Sequence, residues 1–199
     1  MGPFAIPSRE PARLTALCSY AILDTIAERA YDDLTRLAAY VAQTPIALIS
    51  FVDRDRQWFK ACFGLAASET PREQSFCAHA IFNPSENFIV QDTQLDERFS
   101  SNLLVTSDPK IRFYFGVPLL TPDRHALGTL CVIDRVPRTL DPAQIEALET
   151  LSNQAMILLE LRRYSRDQFK AAGLRATESL SPRLESNAHD PDVKDANCL

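Results

Sequence analysis

The sequence lacks any long apolar run, and its longest apolar segments, 46–52 and 113–120, are short. A membrane-spanning helix needs about 18 or more consecutive apolar residues, so the sequence predicts no membrane span and no membrane partner. The N-terminus also lacks a basic segment followed by an apolar one, which is the pattern of a secretory signal. We therefore expect a cytoplasmic protein.

An excess of positive charge is also absent. The 199 residues include 21 lysines and arginines against 26 aspartates and glutamates, which gives a net charge of −5 with neutral histidines. A protein that binds the phosphate backbone of nucleic acids needs a basic surface. The composition therefore predicts no nucleic-acid partner.

Cysteines are few and scattered, and none of them forms a Cys-x-x-Cys motif. Because zinc knuckles and thioredoxin-type redox pairs depend on such closely spaced ligands, the sequence predicts no metal site. Most of the cysteines have apolar sequence neighbours, where a thiol usually behaves as a small buried hydrophobe. The five are Cys18, Cys62, Cys77, Cys131 and Cys198.

Hydrophobic residues make up 46% of the chain, which is enough for the core of one globular domain of about 150 residues. Apolar residues at helical spacing predict a first helix over 9–24 and a second over 28–44, which Pro45 ends. After Pro45 the apolar pattern changes from helical spacing to alternation, which is typical of strands. The predicted strands are 46–52, 57–63, 88–90, 112–120 and 127–134.

Segment 112–120 shows the alternation most clearly, because Phe113 and Phe115 fall on one face and Tyr114 on the other. A short helix is predicted over 76–82, a polar loop over 65–74 and an irregular stretch over 92–108. This order of helices and strands predicts an α+β fold, in which helices pack on a central, mainly antiparallel sheet.

The last helix begins at Asp141 and Pro142, which form an N-cap and first-position pair, and it is predicted to extend to about residue 170. Its apolar stripe is wider than one sheet face requires, which predicts a homodimer. The predicted organisation is a lead over 1–8, a domain over 9–163 that includes both terminal helices, the end of the long helix over 164–173 and a disordered tail over 174–199. The tail is rich in Ser, Asp, Asn and Pro and lacks a core-forming pattern.

Three groups of segments together resemble the GAF domain family. They are SFCAHAI at 75–81, DTQLDERF at 92–99, and the strand pair RFYFGVPL at 112–119 with LGTLCVID at 127–134. The likeness covers about 9–163 and is strongest to the bacterial GAF subgroup found ahead of sensor histidine kinases and diguanylate cyclases. It implies a GAF/PAS-like fold with a ligand pocket on one face of the sheet and dimerisation through terminal helices.

The sequence departs from the family pattern in the turn before the last strand, where Arg124 stands at a position that relatives usually fill with glycine. A non-glycine residue there predicts an altered or strained turn. The signature of cyclic-nucleotide-binding relatives is also absent, so the sequence names no ligand or cofactor.

Cys77 and His79 are the first candidate site residues, since a thiol beside an imidazole is a nucleophile with its base in many enzymes. Residues two apart on a helix do not face each other, however, and two side chains are too few for a metal site. Two interpretations therefore stay open for the pair, namely packing with local hydrogen bonds and contact with a bound ligand.

The remaining candidate ligand-binding residues follow from the resemblance or from strand position. Asp92 and Arg98 flank the loop that would border the pocket, and they fit either polar contacts to a ligand or a local ion pair or Asx-turn. Arg112 begins the aromatic strand, where it could bind an anion or simply occupy an exposed strand end. Tyr114 belongs to an aromatic set that is mostly core, with one or two members lining the pocket.

No catalytic constellation is recognisable, so we predict that the chain is not an enzyme. The favoured function is a non-catalytic regulatory module that senses an unidentified small molecule, dimerises and signals to a kinase or cyclase partner. Two alternatives remain. One is a cysteine-dependent enzyme of the free methionine sulfoxide reductase type, and the other is a dimerisation scaffold without a ligand.

Overall fold

The computed structural model describes residues 9–180, with side chains as far as residue 172. The predicted lead (1–8) and residues 181–199 of the predicted tail lie outside the described residues. The elements along the chain are α1 (Glu10–Tyr20), α2 (Arg29–Ala42), β1 (Ile46–Val52), β2 (Arg56–Phe63), β3 (Glu69–Pro71), a 3-10 turn (Arg72–Gln74), α3 (Phe76–Ala80), β4 (Phe88–Val90), α4 (Leu103–Thr106), β5 (Phe113–Leu120), β6 (Ala126–Asp134) and α5 (Pro142–Leu180).

The six strands form one antiparallel sheet in the spatial order β3-β2-β1-β6-β5-β4. This arrangement confirms the predicted α+β fold with a central antiparallel sheet. The two central strands, β1 and β6, come close together at Gly128, where an added Cβ would lie 1.9 Å from the carbonyl oxygen of Ser50. Glycine is therefore required at this position for the strands to pair.

One face of the sheet packs against α1, α2 and the first part of α5. The apolar side chains of β5 on this face are those that the alternation predicted, including Phe113 and Phe115. Leu17 and Tyr20 of α1 and Leu148 of α5 are also fully buried here. The Asp141 carboxylate caps α5 by accepting a 2.8 Å hydrogen bond from the Gln144 backbone N–H, as predicted for this N-cap.

The opposite face of the sheet is covered by α3 and by the segment 91–111, which follows β4. A second apolar cluster forms here, and Tyr114 belongs to it, on the face opposite to Phe113. Phe76 of α3 stacks between Phe99 and Tyr114, with ring centroids 4.2 and 5.2 Å away. The irregular segment is thus held on the sheet by aromatic contacts.

Two predicted boundaries are wrong. The polar loop over 65–74 contains β3, a three-residue edge strand that pairs with β2. The last helix continues to Leu180, ten residues past its predicted end, so the first part of the predicted tail is helical. Within the described residues, one compact unit ends at Arg162 and a second begins at Arg163, while the predicted domain ends at 163.

The turn between β5 and β6 carries the strain that its sequence predicted, because Arg124 has a φ of 65°. A side chain in this left-handed region costs energy that glycine avoids. Among the described helices, none is both long enough and apolar enough to cross a membrane.

Candidate functional site

Cys77 lies in α3 and is 1% exposed, with its side chain directed at the central strands. Ser75 positions this short helix, because its hydroxyl accepts a 3.0 Å hydrogen bond from the Ala78 backbone N–H. Four polar side chains donate hydrogen bonds to the Cys77 sulfur, one from each of the strands β1, β2, β5 and β6. The donors and their distances to Sγ are Thr129 Oγ1 at 2.9 Å, Gln57 Nε2 at 3.1 Å, Tyr114 OH at 3.2 Å and Ser50 Oγ at 3.3 Å.

This arrangement stabilises negative charge on the Cys77 sulfur. Burial by itself raises the pKa of a thiol, but the hydrogen bonds from its neighbours, led by Cys131 and Ser50, outweigh burial and lower the pKa of Cys77 below the usual value of a thiol. The Sγ atoms of Cys77 and Cys131 lie 3.8 Å apart, and burial together with its neighbour Cys77 raises the pKa of Cys131. Cys77 is thus buried as predicted, and its hydrogen bonds agree with the interpretation of packing with local hydrogen bonds. Cys18 is exposed and does not fit the predicted burial.

A cavity of about 30 Å³ lies beside Cys77, between the sheet and the segment 70–111. Its walls are apolar except for Cys77 itself and a few polar groups that include Gln57, Thr70 and Tyr114. Since a cavity needs about 10–15 Å³ to hold one water, this one has room for a molecule of only a few atoms. The pocket expected between the sheet and 75–110 is present, and it is small.

His79 points away from Cys77, toward aromatic rings of the neighbouring segment. Its ring lies edge-on to Phe99 at 4.7 Å and stacks on Phe88 at 6.3 Å. Burial and the charge of Arg98 lower the pKa of His79 to about 4, so the imidazole is neutral near pH 7. His79 cannot serve as the base for Cys77, in agreement with the helical spacing.

The other candidate residues form local ion pairs instead of a ligand site around Cys77. Asp92 and Arg98 do not pair with each other. Asp92 accepts two hydrogen bonds from Arg112, at 2.9 and 2.7 Å, and Arg98 pairs with Asp96 at 2.6 Å. Asp92 and Arg98 both line an open groove of about 980 Å³ along β4, into which Cys77 and Tyr114 do not reach. Of the six predicted site residues, only Cys77 and Tyr114 therefore share the buried site.

Sequence reasoning missed three residues of this site, namely Ser50, Gln57 and Thr129, whereas it considered that Cys62, Cys77 and Cys131 could converge, and Cys77 and Cys131 do so. Ser50 and Thr129 are paired across β1 and β6, and both are 0% exposed. Ser50 and Thr129 could have been found in the sequence, because each is a single polar residue inside an otherwise apolar strand. A buried hydroxyl of this kind needs a hydrogen-bond partner. Among the described residues, no three His, Cys, Asp or Glu side chains are placed to hold a metal ion.

Comparison with known proteins identifies the family. The family model for the GAF domain matches residues 21–159. A cyclic di-GMP phosphodiesterase of Pseudomonas aeruginosa is 39% identical over 184 residues, which are 90% of this chain and 31% of that protein. The chain thus spans about a third of the length of this relative.

Solved structures agree on the fold. The GAF domain of a phosphoenolpyruvate-protein phosphotransferase from Acinetobacter superposes with a TM-score of 0.56 at 17% identity, over 78% of this chain and 95% of that one. A domain from Sinorhizobium meliloti 1021, assigned to a two-component sensor histidine kinase, has a TM-score of 0.55 at 18% identity, over 73% and 99%. These likenesses show that the chain has the fold of these domains.

The prediction that the chain is not an enzyme is contradicted by this comparison. The Pseudomonas aeruginosa relative is by name a phosphodiesterase, which is an enzyme. The prediction was drawn from the absence of a recognisable catalytic constellation within 199 residues. Such an absence carries little weight when the relative is about three times as long as the part that matches.

Proposed function

The chain belongs to the GAF domain family, a family of signal-sensing modules, and from that premise we propose that it senses a small molecule at Cys77 and controls the turnover of cyclic di-GMP. The signal acts at the cavity beside the Cys77 sulfur and passes through the sheet to the helices on its other face. The output is an enzyme that degrades or makes cyclic di-GMP, or a signalling kinase, in the same polypeptide or in a partner.

One observation carries this proposal, namely that four hydrogen-bond donors converge on a buried sulfur that borders a cavity. A thiol that only fills core volume has no need of these donors, and buried polar groups are costly unless each is paired. A sulfur held in this way suits a ligand or oxidant of a few atoms, since the cavity measures about 30 Å³. Apolar walls with a few fixed polar groups are typical of small-molecule sites.

The route of the signal follows from the strand contacts. Thr129 of β6 donates to Cys77 on one face of the sheet, while the adjacent Leu130 belongs to the core on the helical face. A change at the sulfur that moves β6 therefore reaches the core that holds α5. Such coupling requires an element with two arrangements, and we propose that β6 with α5 is this element.

Dimerisation is part of the proposal, with one change from the sequence-based expectation. Ile157 and Leu161 of α5 are 49% and 59% exposed, and Leu37 and Tyr40 of α2 are 47% and 81% exposed. Within the described part of the chain, α1 contributes no large exposed apolar side chain. We therefore propose a homodimer through α5 and α2, because exposed apolar groups on neighbouring helices favour association.

A chimeric enzyme tests the proposed output. In the Pseudomonas aeruginosa phosphodiesterase, the segment that matches this chain is replaced by this chain, and the rate of cyclic di-GMP hydrolysis is measured. We expect the chimera to hydrolyse cyclic di-GMP, and we expect Cys77→Ser to change its rate about fivefold or more, the usual size of a coupling between sites. Cys18→Ser, at an exposed cysteine, is the matched control and should leave the rate unchanged.

Two results of this experiment would not support the proposal directly, and each has its own meaning. Equal rates in the wild-type, Cys77→Ser and Cys18→Ser chimeras would favour a scaffold without a ligand. A Cys77→Ser chimera with a lowered melting temperature and a lowered rate would indicate misfolding. In that case Thr129→Val, which removes one donor to the sulfur and keeps the side-chain shape, decides the question, and an unchanged rate would overturn the proposal.

A second candidate function is favoured by the 3.8 Å distance between the Cys77 and Cys131 sulfurs. Because the cavity holds only a few atoms, free methionine sulfoxide would reach Cys77 only if the segment over the cavity moved. Two thiols and one sulfoxide would then give a disulfide, a sulfide and water. An external dithiol would then restore both thiols. Incubation of the purified chain with methionine sulfoxide and a dithiol tests this activity, which Cys77→Ser and Cys131→Ser should each abolish.

A further inference from the structure

A second cavity, of about 230 Å³, lies apart from Cys77, where the start of α1 meets the β5–β6 turn and the segment after α3. Its polar lining consists of Arg9, Glu10, Arg13, Arg72, Arg124 and His125. Four arginines therefore face a single carboxylate, in a chain whose overall net charge is negative.

The inner part of this cavity is a buried ion network. The Glu10 carboxylate accepts hydrogen bonds from Arg13 at 2.8 and 2.7 Å and from Arg72 at 2.6 Å. Arg13 and Arg72 are only 5% and 8% exposed. Arg72 Nη1 also donates to the backbone oxygens of Asp53 and Arg54, at 3.0 and 3.2 Å, which fixes the guanidinium in place.

Glu10 does not satisfy both guanidinium groups. Within the described residues, Arg13 Nη1 and Arg72 Nη2 are buried and have no hydrogen-bond partner. A charged donor buried without a partner is more costly than a neutral one. These two nitrogens are closed off from solvent, but other parts of Arg13 and Arg72 line the cavity. Among the described residues of the lining, the single Glu10 carboxylate is the only negative charge beside four arginines, so the cavity favours an anion.

We propose that this cavity is a binding site for a small organic anion that carries a carboxylate or phosphate group. Arginine is suited to this role because its planar fork matches the oxygens of both groups. The remaining walls, Ile81, Phe82 and Pro84, are apolar and would contact the carbon part of the ligand. The cavity volume suits a molecule smaller than the usual drug-sized ligand.

Arg124 supports this assignment from the outer side. Its φ of 65° is a backbone conformation that favours glycine, and yet an arginine occupies this position beside the cavity. Residues held in such a conformation are concentrated at functional sites. The site does not depend on the function proposed for Cys77, which lies on another part of the molecule.

The test is a calorimetric titration of the full chain with inorganic phosphate and, separately, with benzoate, at constant ionic strength with chloride as the reference anion. We expect saturable binding of at least one of them at concentrations up to about 10 mM, which occupies even a weak site with a Kd of roughly 1 mM. Binding of phosphate alone would identify a phosphate-bearing ligand, and binding of benzoate alone an organic carboxylate.

The discriminating variant is Arg124→Gly, because glycine adopts the same backbone conformation without strain and the buried network remains intact. It should weaken binding about tenfold, as expected for the loss of one charged hydrogen bond. Arg29→Gln removes an equal charge from a side chain that is 93% exposed on α2, and it should leave binding unchanged. Absence of saturable binding by both anions, or equal weakening in the two variants, would overturn the proposal.

Discussion

The sulfur of Cys77 on α3 accepts a 2.9 Å hydrogen bond from the hydroxyl of Thr129, which lies 52 residues further along the chain on β6. This bond ties the short helix on one face of the sheet to a central strand. Thr129 is itself paired with Ser50 across the β1–β6 ladder, so both hydroxyls meet at the same sulfur. The polar cluster is thus a consequence of strand register, and its energetics can be tested residue by residue.

Removal of the Tyr114 hydroxyl should weaken this cluster. Tyr114 is 0% exposed and its OH lies 3.2 Å from Cys77 Sγ. In Tyr114→Phe we expect the pKa of Cys77 to rise, because one donor to the thiolate is lost. The free energy of unfolding should fall by about 1 kcal/mol, the usual net value of one hydrogen bond. Urea unfolding measures the loss, and Tyr40→Phe, at a tyrosine 81% exposed, is the control that should change neither quantity.

Acid should destabilise the fold through Glu10. Burial raises the pKa of this carboxyl, but hydrogen bonds from Arg13 and Arg72 outweigh it and lower the pKa from 4.5 to about 2. The stabilising contribution of Glu10 is therefore fully present above pH 4.5 and is lost as the pH falls toward 2.

The corresponding variant is Glu10→Gln, which leaves the two buried guanidinium groups without a counter-charge. We expect it to cost about 3 kcal/mol at pH 7, typical of a broken buried pair, and to flatten the dependence of stability on pH between 4.5 and 2. Urea unfolding across this pH range measures both effects. Glu146→Gln, on an exposed side chain of α5, should leave both unchanged, and a full pH dependence in Glu10→Gln would contradict the assignment.

His79 also makes the fold sensitive to acid, in a higher pH range than Glu10 does. Its pKa is lowered from 6.5 to about 4 by burial and by the charge of Arg98. Between these two pH values the unfolded chain binds a proton at His79 and the folded chain does not. The free energy of unfolding therefore falls as the pH drops from 6.5 toward 4. In His79→Phe, which keeps an aromatic ring against Phe88 and Phe99, this part of the pH dependence should disappear from the unfolding curve.

The proposed dimer predicts a simple change in mass. Replacement of Ile157 and Leu161 by Glu places charge on the exposed apolar face of α5. We expect the wild-type chain to be a dimer and this double variant a monomer in light scattering at about 50 µM, where an interface with a Kd of roughly 10 µM is mostly formed. Val136→Glu, at a side chain 51% exposed after β6, should remain dimeric, and a monomeric wild-type chain would disprove the dimer.

Much of the fold could be predicted because its signals are local. The alternation in 112–120 gave the two faces of β5 correctly, since a period of two is visible within a single strand. β3 was missed because three residues carry no period, and its only support is pairing with β2. The end of α5 was missed because the polar composition after residue 173 does not exclude a helix.

The site was less predictable for a physical reason. The hydrogen-bond donors to the Cys77 sulfur come from four strands. The register between β1 and β6 determines which of these side chains lie next to each other. Register is fixed by tertiary pairing and has no signature in one strand. Local reasoning likewise left Asp92 and Arg98 open between ligand contacts and a local ion pair or Asx-turn, and it could not name their partners, which are Arg112 and Asp96.

The most direct test of the Cys77 site is a pH titration of the thiolate by its ultraviolet absorbance. The difference between the wild-type chain and Cys77→Ser reports the titration of Cys77 together with its effect on the neighbouring Cys131, and Cys18→Ser serves as the control that must retain the transition. The hydrogen bonds from Thr129 and its neighbours predict a thiolate that forms at a clearly lower pH than that of an ordinary thiol. A midpoint at or above about 8.5, the value of an ordinary thiol, would show that the cluster does not stabilise the thiolate and would contradict the account.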